Sequence, residues 1–134
     1  MVDTVRTYLW IAAGGALGSV ARFWISGLVL DRFGRAFPWG TLVVNVTGSF
    51  VIGVLAGFAG EHARIGPAAR VFVMQFLMVG VCGGYTTFSA FSLQTLNLLH
   101  EGRWTIGLGN VVLSVVLCVA AVWCGWAVGQ WMNR

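Results

Sequence analysis

The sequence is short of charge, and what is missing narrows the field first. Charged residues make up 9% of its 134 positions, against roughly a quarter in a soluble domain. A soluble all-helical core also needs polar helix faces, and these helices lack them. There is no lysine. The positive charge rests on eight arginines spread along the chain, so no basic patch for nucleic acid forms. Only four residues are acidic, Asp3, Asp31, Glu61 and Glu101, and all are terminal or in connections. A proton-coupled pump or a small four-span drug exporter embeds a carboxylate or histidine in the membrane, and here His62 and His100 also lie in connections. No phosphate-cradling loop, metal-ligand cluster or catalytic triad appears, which speaks against an enzyme. The three cysteines, Cys82, Cys118 and Cys124, have no zinc or redox spacing and read as small buried hydrophobes. The N-terminus shows no basic run or A-x-A-like site, and its first apolar segment is too long for a signal peptide.

What is present is apolar length. Hydrophobic residues make up 58% of the chain, with a mean hydropathy of +0.85. Four segments approach or exceed the 20 or so residues that cross a bilayer. They run from about Tyr8 to Leu30, Pro38 to Gly60, Arg70 to Leu99 and Trp104 to Trp131. The connections are too short for a soluble module, so residues 1–134 form one all-α membrane domain.

Small residues recur four apart: Gly14 with Gly18, Gly53 with Gly57, Gly80 with Gly84, and Gly125 with Gly129. Such pairs let helix backbones approach closely. Four helices offer few neighbours for so many small faces, which predicts an oligomer, most simply a two-fold dimer. Arginines divide almost evenly between the two sides. Arg6, Arg64, Arg70 and Arg134 share one side, and Arg32, Arg35 and Arg103 the other. Orientation follows the positive excess, so this balance predicts insertion both ways and an antiparallel dimer.

The centre of the chain is the stretch from Gly80 to Phe91. Two adjacent glycines, Gly83 and Gly84, and then Thr86-Thr87-Phe88-Ser89 interrupt an apolar span. A helix broken in hydrocarbon leaves unpaired backbone groups, each costing several kcal/mol, and is tolerated only where it is buried, lines water or holds an ion. The stretch therefore reads as the functional centre of a small channel.

Polar residues flank it. Pro38 and Trp39 suit the first turn and interface of the second span. Thr41, Asn45 and Ser49 then share one helix face, as do Asn110, Ser114 and Cys118 in the fourth. Each track reads either as glue between helices or as a pore lining whose amides and hydroxyls meet an anion. Arg22, deep in the first span, either snorkels or makes a vestibule positive. Phe88 and Phe91 share a face. They either meet lipid and core or present their positive ring edges to a small anion, weakly enough to let it leave.

These motifs resemble the Fluc (CrcB-type) fluoride channels. The matching runs are Gly18-Ser19-Val20-Ala21-Arg22, Trp39-Gly40-Thr41-Leu42-Val43-Val44-Asn45-Val46-Thr47-Gly48 and Gly83-Gly84-Tyr85-Thr86-Thr87-Phe88-Ser89-Ala90-Phe91. The resemblance covers all four spans. It implies an antiparallel, dual-topology homodimer in the cell (inner) membrane, with two pores that export fluoride passively and so reduce its toxicity. By the same resemblance Phe88, Phe91 and Asn45 belong to the pore. Ser89, Thr41, Ser114 and Asn110 join its polar lining and Arg22 its vestibule. It further implies a central structural sodium ion held by the main-chain carbonyls of Gly83 and Thr86 from both subunits. Two positions depart from the family pattern. Ala90 stands where a threonine is common, and Asn110 where a tyrosine is common. The rival reading is a non-transporting scaffold, which explains the glycine faces but not the polar tracks.

Overall fold

The computed structural model describes residues 2–60 and 65–133. Glu61, His62, Arg64 and Arg134, which enter the charge count, lie outside them. The described residues are helical and carry no strand. α1 spans Val2–Phe33 and α2 spans Trp39–Phe58. α3 covers residues 67–85, in three pieces that follow without a gap: Pro67–Phe72, Val73–Cys82 and Gly83–Tyr85. α4 spans Phe88–His100 and α5 spans Trp104–Met132. Four stretches are long and apolar enough to cross a membrane: Thr4–Phe33, Trp39–Phe58, Pro67–His100 and Trp104–Met132. Most large apolar side chains face outward, among them Phe23, Trp104, Trp123 and Trp131, as expected where lipid is the solvent.

Pro38 stands just ahead of α2 rather than inside its first turn; its carbonyl accepts the Leu42 N–H at 3.1 Å. The middle piece of α3 is wound as a π-helix, and the Gly83 N–H at its end reaches both Gly80 and Met78 carbonyls. No sequence feature above anticipates that wider winding.

The glycine pairs explain how the helices are held. Gly14 packs on Gly80, and an added Cβ at Gly14 would sit 2.5 Å from the Phe76 carbonyl oxygen. Gly84 packs on Gly15 in the same seam, where its own Cβ would be 2.5 Å from the Gly15 oxygen. Trp10 seals one end of this α1–α3 contact, edge-on to Phe72 at 5.1 Å and to Phe76 at 5.5 Å. Gly53 and Gly57 of α2 meet Gly125 and Gly129 of α5 in a second seam, where a Cβ at Gly53 would strike the Val122 carbonyl. All four pairs are thus used inside one chain. The argument that they need a second chain to pack against is overturned, and any support for a dimer must come from elsewhere.

Two turns depend on glycine with positive φ, Gly34 at 73° and Gly102 at 74°. At Gly102 the N–H bonds the Leu99 carbonyl at 3.1 Å, and the Arg103 N–H bonds Leu98 at 2.9 Å. This closes α4 with the two-bond C-terminal cap that left-handed glycine permits, and it fixes the direction in which Arg103 and α5 set out.

Candidate functional site

The helical path through the third span stops at Tyr85 and resumes at Phe88. Thr86 and Thr87 between them are extended, at φ −84°, ψ 157° and φ −152°, ψ 111°. The adjacent glycines are not where the chain opens: Gly83 is helical at φ −64°, ψ −40°. The threonines have the means to close both helix ends. The Thr86 N–H and hydroxyl both donate to the Cys82 carbonyl, at 3.0 and 2.9 Å. The Thr87 hydroxyl accepts the Ala90 N–H at 3.2 Å as the N-cap of α4, and lies 3.3 Å from the Ser89 hydroxyl.

Asn45 holds the gap from α2. Its Oδ1 accepts the Thr87 N–H at 2.7 Å, and its Nδ2 donates to the Thr87 carbonyl at 3.0 Å. A primary amide carries two N–H donors. One is spent on Thr87, and one remains.

These bonds have a consequence for two other carbonyls. In an unbroken helix the Thr87 N–H would go to Gly83 and the Ala90 N–H to Thr86. Here the first goes to Asn45 and the second to the Thr87 side chain. The Gly83 and Thr86 oxygens therefore both lose their ordinary α-helical donor. Freed main-chain oxygens beside a glycine exposed on the surface of the single chain are the donor set a hard cation such as sodium takes. No group of three or more His, Cys, Asp or Glu that would hold a metal occurs among the described residues.

A cavity of about 370 Å³ opens beside the gap. Asn45, Ser49, Thr86, Phe88, Phe91 and Ser114 line it, with Gly48 and Cys118. Three elements converge there: the polar face of α2, the start of α4 and one face of α5. Gly48 lets the gap approach, since a Cβ there would press on the Thr86 and Tyr85 side chains. Phe88 and Phe91 lie 5.2 Å apart, tilted by 46°. Phe91 is 8% exposed, whereas Phe88 is 77% exposed on the single chain.

The expected site residues are thus only partly gathered. Asn45, Phe88, Phe91 and Ser114 meet in this cavity, and Thr86 joins them. Thr41 is buried but lines a second cavity, of about 340 Å³, by the α1–α2 connection. Ser89 is exposed and stands behind the N-cap hydroxyl. Arg22 is half-buried and lines neither cavity. Asn110 is 1% exposed and also lines neither. Its Nδ2 donates to Thr95 at 2.8 Å, and its Oδ1 accepts from Ser114 at 3.4 Å. Thr95 in turn donates to the Phe91 carbonyl at 2.8 Å. In the arrangement seen here Asn110 ties α5 to α4 behind the phenylalanines. Ala90 does not line the main cavity either, so the hydroxyl it lacks is not taken from that wall.

The polar tracks drawn from the sequence included Ser49 and Cys118, and both line the main cavity. Sequence reasoning missed Thr95 and Gln94 altogether. The available signal was that both are polar and lie one turn beyond Phe91.

Four stretches long and apolar enough to cross a membrane, one of them opened near its middle beside a cavity, define a multi-pass membrane protein. The particular family is settled by comparison. Residues 9–126 match the family described as CrcB-like protein, Camphor Resistance (CrcB), and the chain belongs to it. It is 57% identical over 123 residues to a fluoride-specific ion channel FluC of Rhodospirillum rubrum, covering 89% of this chain and 91% of that one. A protein of the same name from Opitutus terrae is 59% identical over 120 residues, 88% of each chain. Another from Methylocella silvestris is 50% identical over 129 residues, 95% of each. These relatives bear the name of an ion channel, not of an enzyme.

Proposed function

We propose that the chain is a fluoride-selective passive channel of the cell (inner) membrane that lets fluoride leave and so limits its toxicity. The observation that carries this reading is the Asn45 clasp on Thr87, at the head of a cavity walled by Phe88, Phe91 and Ser114. The clasp holds an open helix end against α2 while leaving one amide N–H for an anion. Fluoride is small and strongly hydrated, so entry requires donors that replace its water. The free Asn45 N–H and the Ser49 hydroxyl are donors of that kind, and ring edges add weak positive potential. Because no full charge lines this cavity, binding stays weak enough for passage. Chloride is larger and gains less from a tight ring of donors, which favours fluoride.

The functional unit in this reading is an antiparallel dual-topology homodimer with two pores. Two features support a second chain, now that the glycines do not. Phe88 stands mostly bare on the single chain although it faces the cavity. The Gly83 and Thr86 carbonyls have lost their helical donors and need a partner. The same carbonyls from both chains would hold a central sodium ion. When bound, that ion supplies positive charge to the freed oxygens and ties the two interrupted spans together. Fluoride efflux from liposomes, compared with chloride efflux from the same liposomes, tests the reading. Selective fluoride loss is expected, and equal loss of both ions refutes it.

A further inference from the structure

The chain has two tyrosines, and they are placed differently. Tyr8 lies near the end of its span, where an amphipathic phenol suits the interface. Tyr85 lies near the middle of Pro67–His100, at the last helical residue before the gap. A phenol at that depth needs a partner, because hydrocarbon offers no water in its place. The partner is Thr47 of α2, also near mid-span, with the two hydroxyl oxygens 2.9 Å apart.

Counting hydrogens gives this bond its direction. A threonine hydroxyl carries one hydrogen. Thr47 turns its own back along α2, to the Val43 carbonyl at 2.7 Å. Thr47 is therefore the acceptor and the Tyr85 phenol the donor. The ring reaches Thr47 across Gly48, where an added Cβ would lie 3.0 Å from Tyr85 Cδ1. On α1, Gly15 packs against Gly84, and the Ser19 hydroxyl donates to the Gly84 carbonyl at 3.5 Å. The short turn Gly83–Tyr85 is thus gripped by α1 and α2 before the gap, as Asn45 grips Thr87 after it. In sequence the two freed carbonyls, of Gly83 and Thr86, flank the gripped pair Gly84 and Tyr85.

We propose that Tyr85 is a positioning residue: its phenol, donated to Thr47, pins the turn before the gap to α2 and so fixes the direction of the Gly83 and Thr86 carbonyls. That these carbonyls take a hard monovalent cation rests on the channel reading; the pinning itself does not.

Two measurements on the full chain in maltoside micelles test this. The first is hydrogen exchange of the Thr86 and Thr87 amides, with Val54 in the α2–α5 seam as the control. Tyr85→Phe and Thr47→Val each remove the bond, whereas Thr47→Ser keeps the hydroxyl. Exchange at Thr86 and Thr87 should rise about fivefold in the first two variants, as the loss of one hydrogen bond implies, with Val54 unchanged. The double variant should match the singles, because both take away the same bond. The second is the sodium concentration that half-protects the protein from thermal unfolding, with choline replacing sodium at constant ionic strength. It should rise about threefold or more in Tyr85→Phe and Thr47→Val, as expected when ligand donors lose their pre-organisation, and stay at the parent value in Thr47→Ser.

Thr86 and Thr87 exchange that is unchanged in Tyr85→Phe, or that rises only as much as Val54, overturns the proposal. So does a Thr47→Ser variant that behaves like Thr47→Val. An unfolding temperature that falls equally in sodium and in choline, with the sodium midpoint unmoved, also overturns it, because the bond would then be a brace with no hold on the carbonyls. A parent protein indifferent to sodium instead refutes the cation in the channel reading, and exchange at Thr86 and Thr87 then upholds or overturns the pinning alone.

Discussion

In the proposed channel Asn45 does two jobs, and its isosteres separate them. Asn45→Asp keeps an acceptor for the Thr87 N–H but loses the donor to the Thr87 carbonyl and adds a negative charge beside the path. Fluoride efflux should fall by more than about tenfold, since a like charge in a low-dielectric cavity repels strongly. Thr87 is a different test. Thr87→Val removes the hydroxyl that accepts the Ala90 N–H and should cost about 1 kcal/mol of stability, whereas Thr87→Ser should not. Thermal unfolding of the detergent-purified protein checks both. Behind the site, Asn110→Leu leaves Thr95 without its buried partner. A loss of about 1–3 kcal/mol follows, with slower efflux only if α4 shifts. At this scale the sequence was half legible. A polar residue at mid-span announces that it needs partners, and periodicity placed Asn45 and Ser49 on one face. It does not say which partner is taken. Asn110 and Asn45 look alike in sequence, yet one is 1% exposed and bonds Thr95 and Ser114 behind the cavity, whereas the other lines the cavity and clasps Thr87.

At the scale of elements, the glycine seams decide which helices touch. Gly53→Leu drives a side chain into the Val122 backbone. Backbone yields poorly, so overpacking should cost about 1–3 kcal/mol or more. We expect loss of the monodisperse peak in size-exclusion chromatography. Gly15→Ala is a less disruptive control, because a Cβ there meets nothing within 4 Å. Four spans and their approximate ends were readable from apolar length alone. So was the recurrence of small residues, but not its use. Spacing shows that a face is small, and cannot show whether its neighbour is α3, α5 or another chain. The opening of the third span illustrates the same limit. Glycine flexibility points to Gly83 and Gly84, but the extended residues are Thr86 and Thr87, because their side chains and Asn45 satisfy the freed groups.

For the whole molecule, charge and assembly are the open predictions. Arg32, Arg35 and Arg103 nearly balance the arginines expected on the opposite side, so the proposed dual topology has little to bias it. Reporter fusions at the C-terminus should give signal from both compartments, and one strong orientation would contradict the antiparallel dimer. In the proposed channel the Asn45 clasp and its phenylalanines form the fluoride path. Fluoride efflux from liposomes holding the purified protein, beside Phe88→Ile and Asn45→Asp, decides whether they do. Rapid, fluoride-selective efflux is expected from the parent, and its loss in both variants while they remain folded. Well-folded parent protein that releases no fluoride, or variants that release it as fast as the parent, would contradict the proposed path.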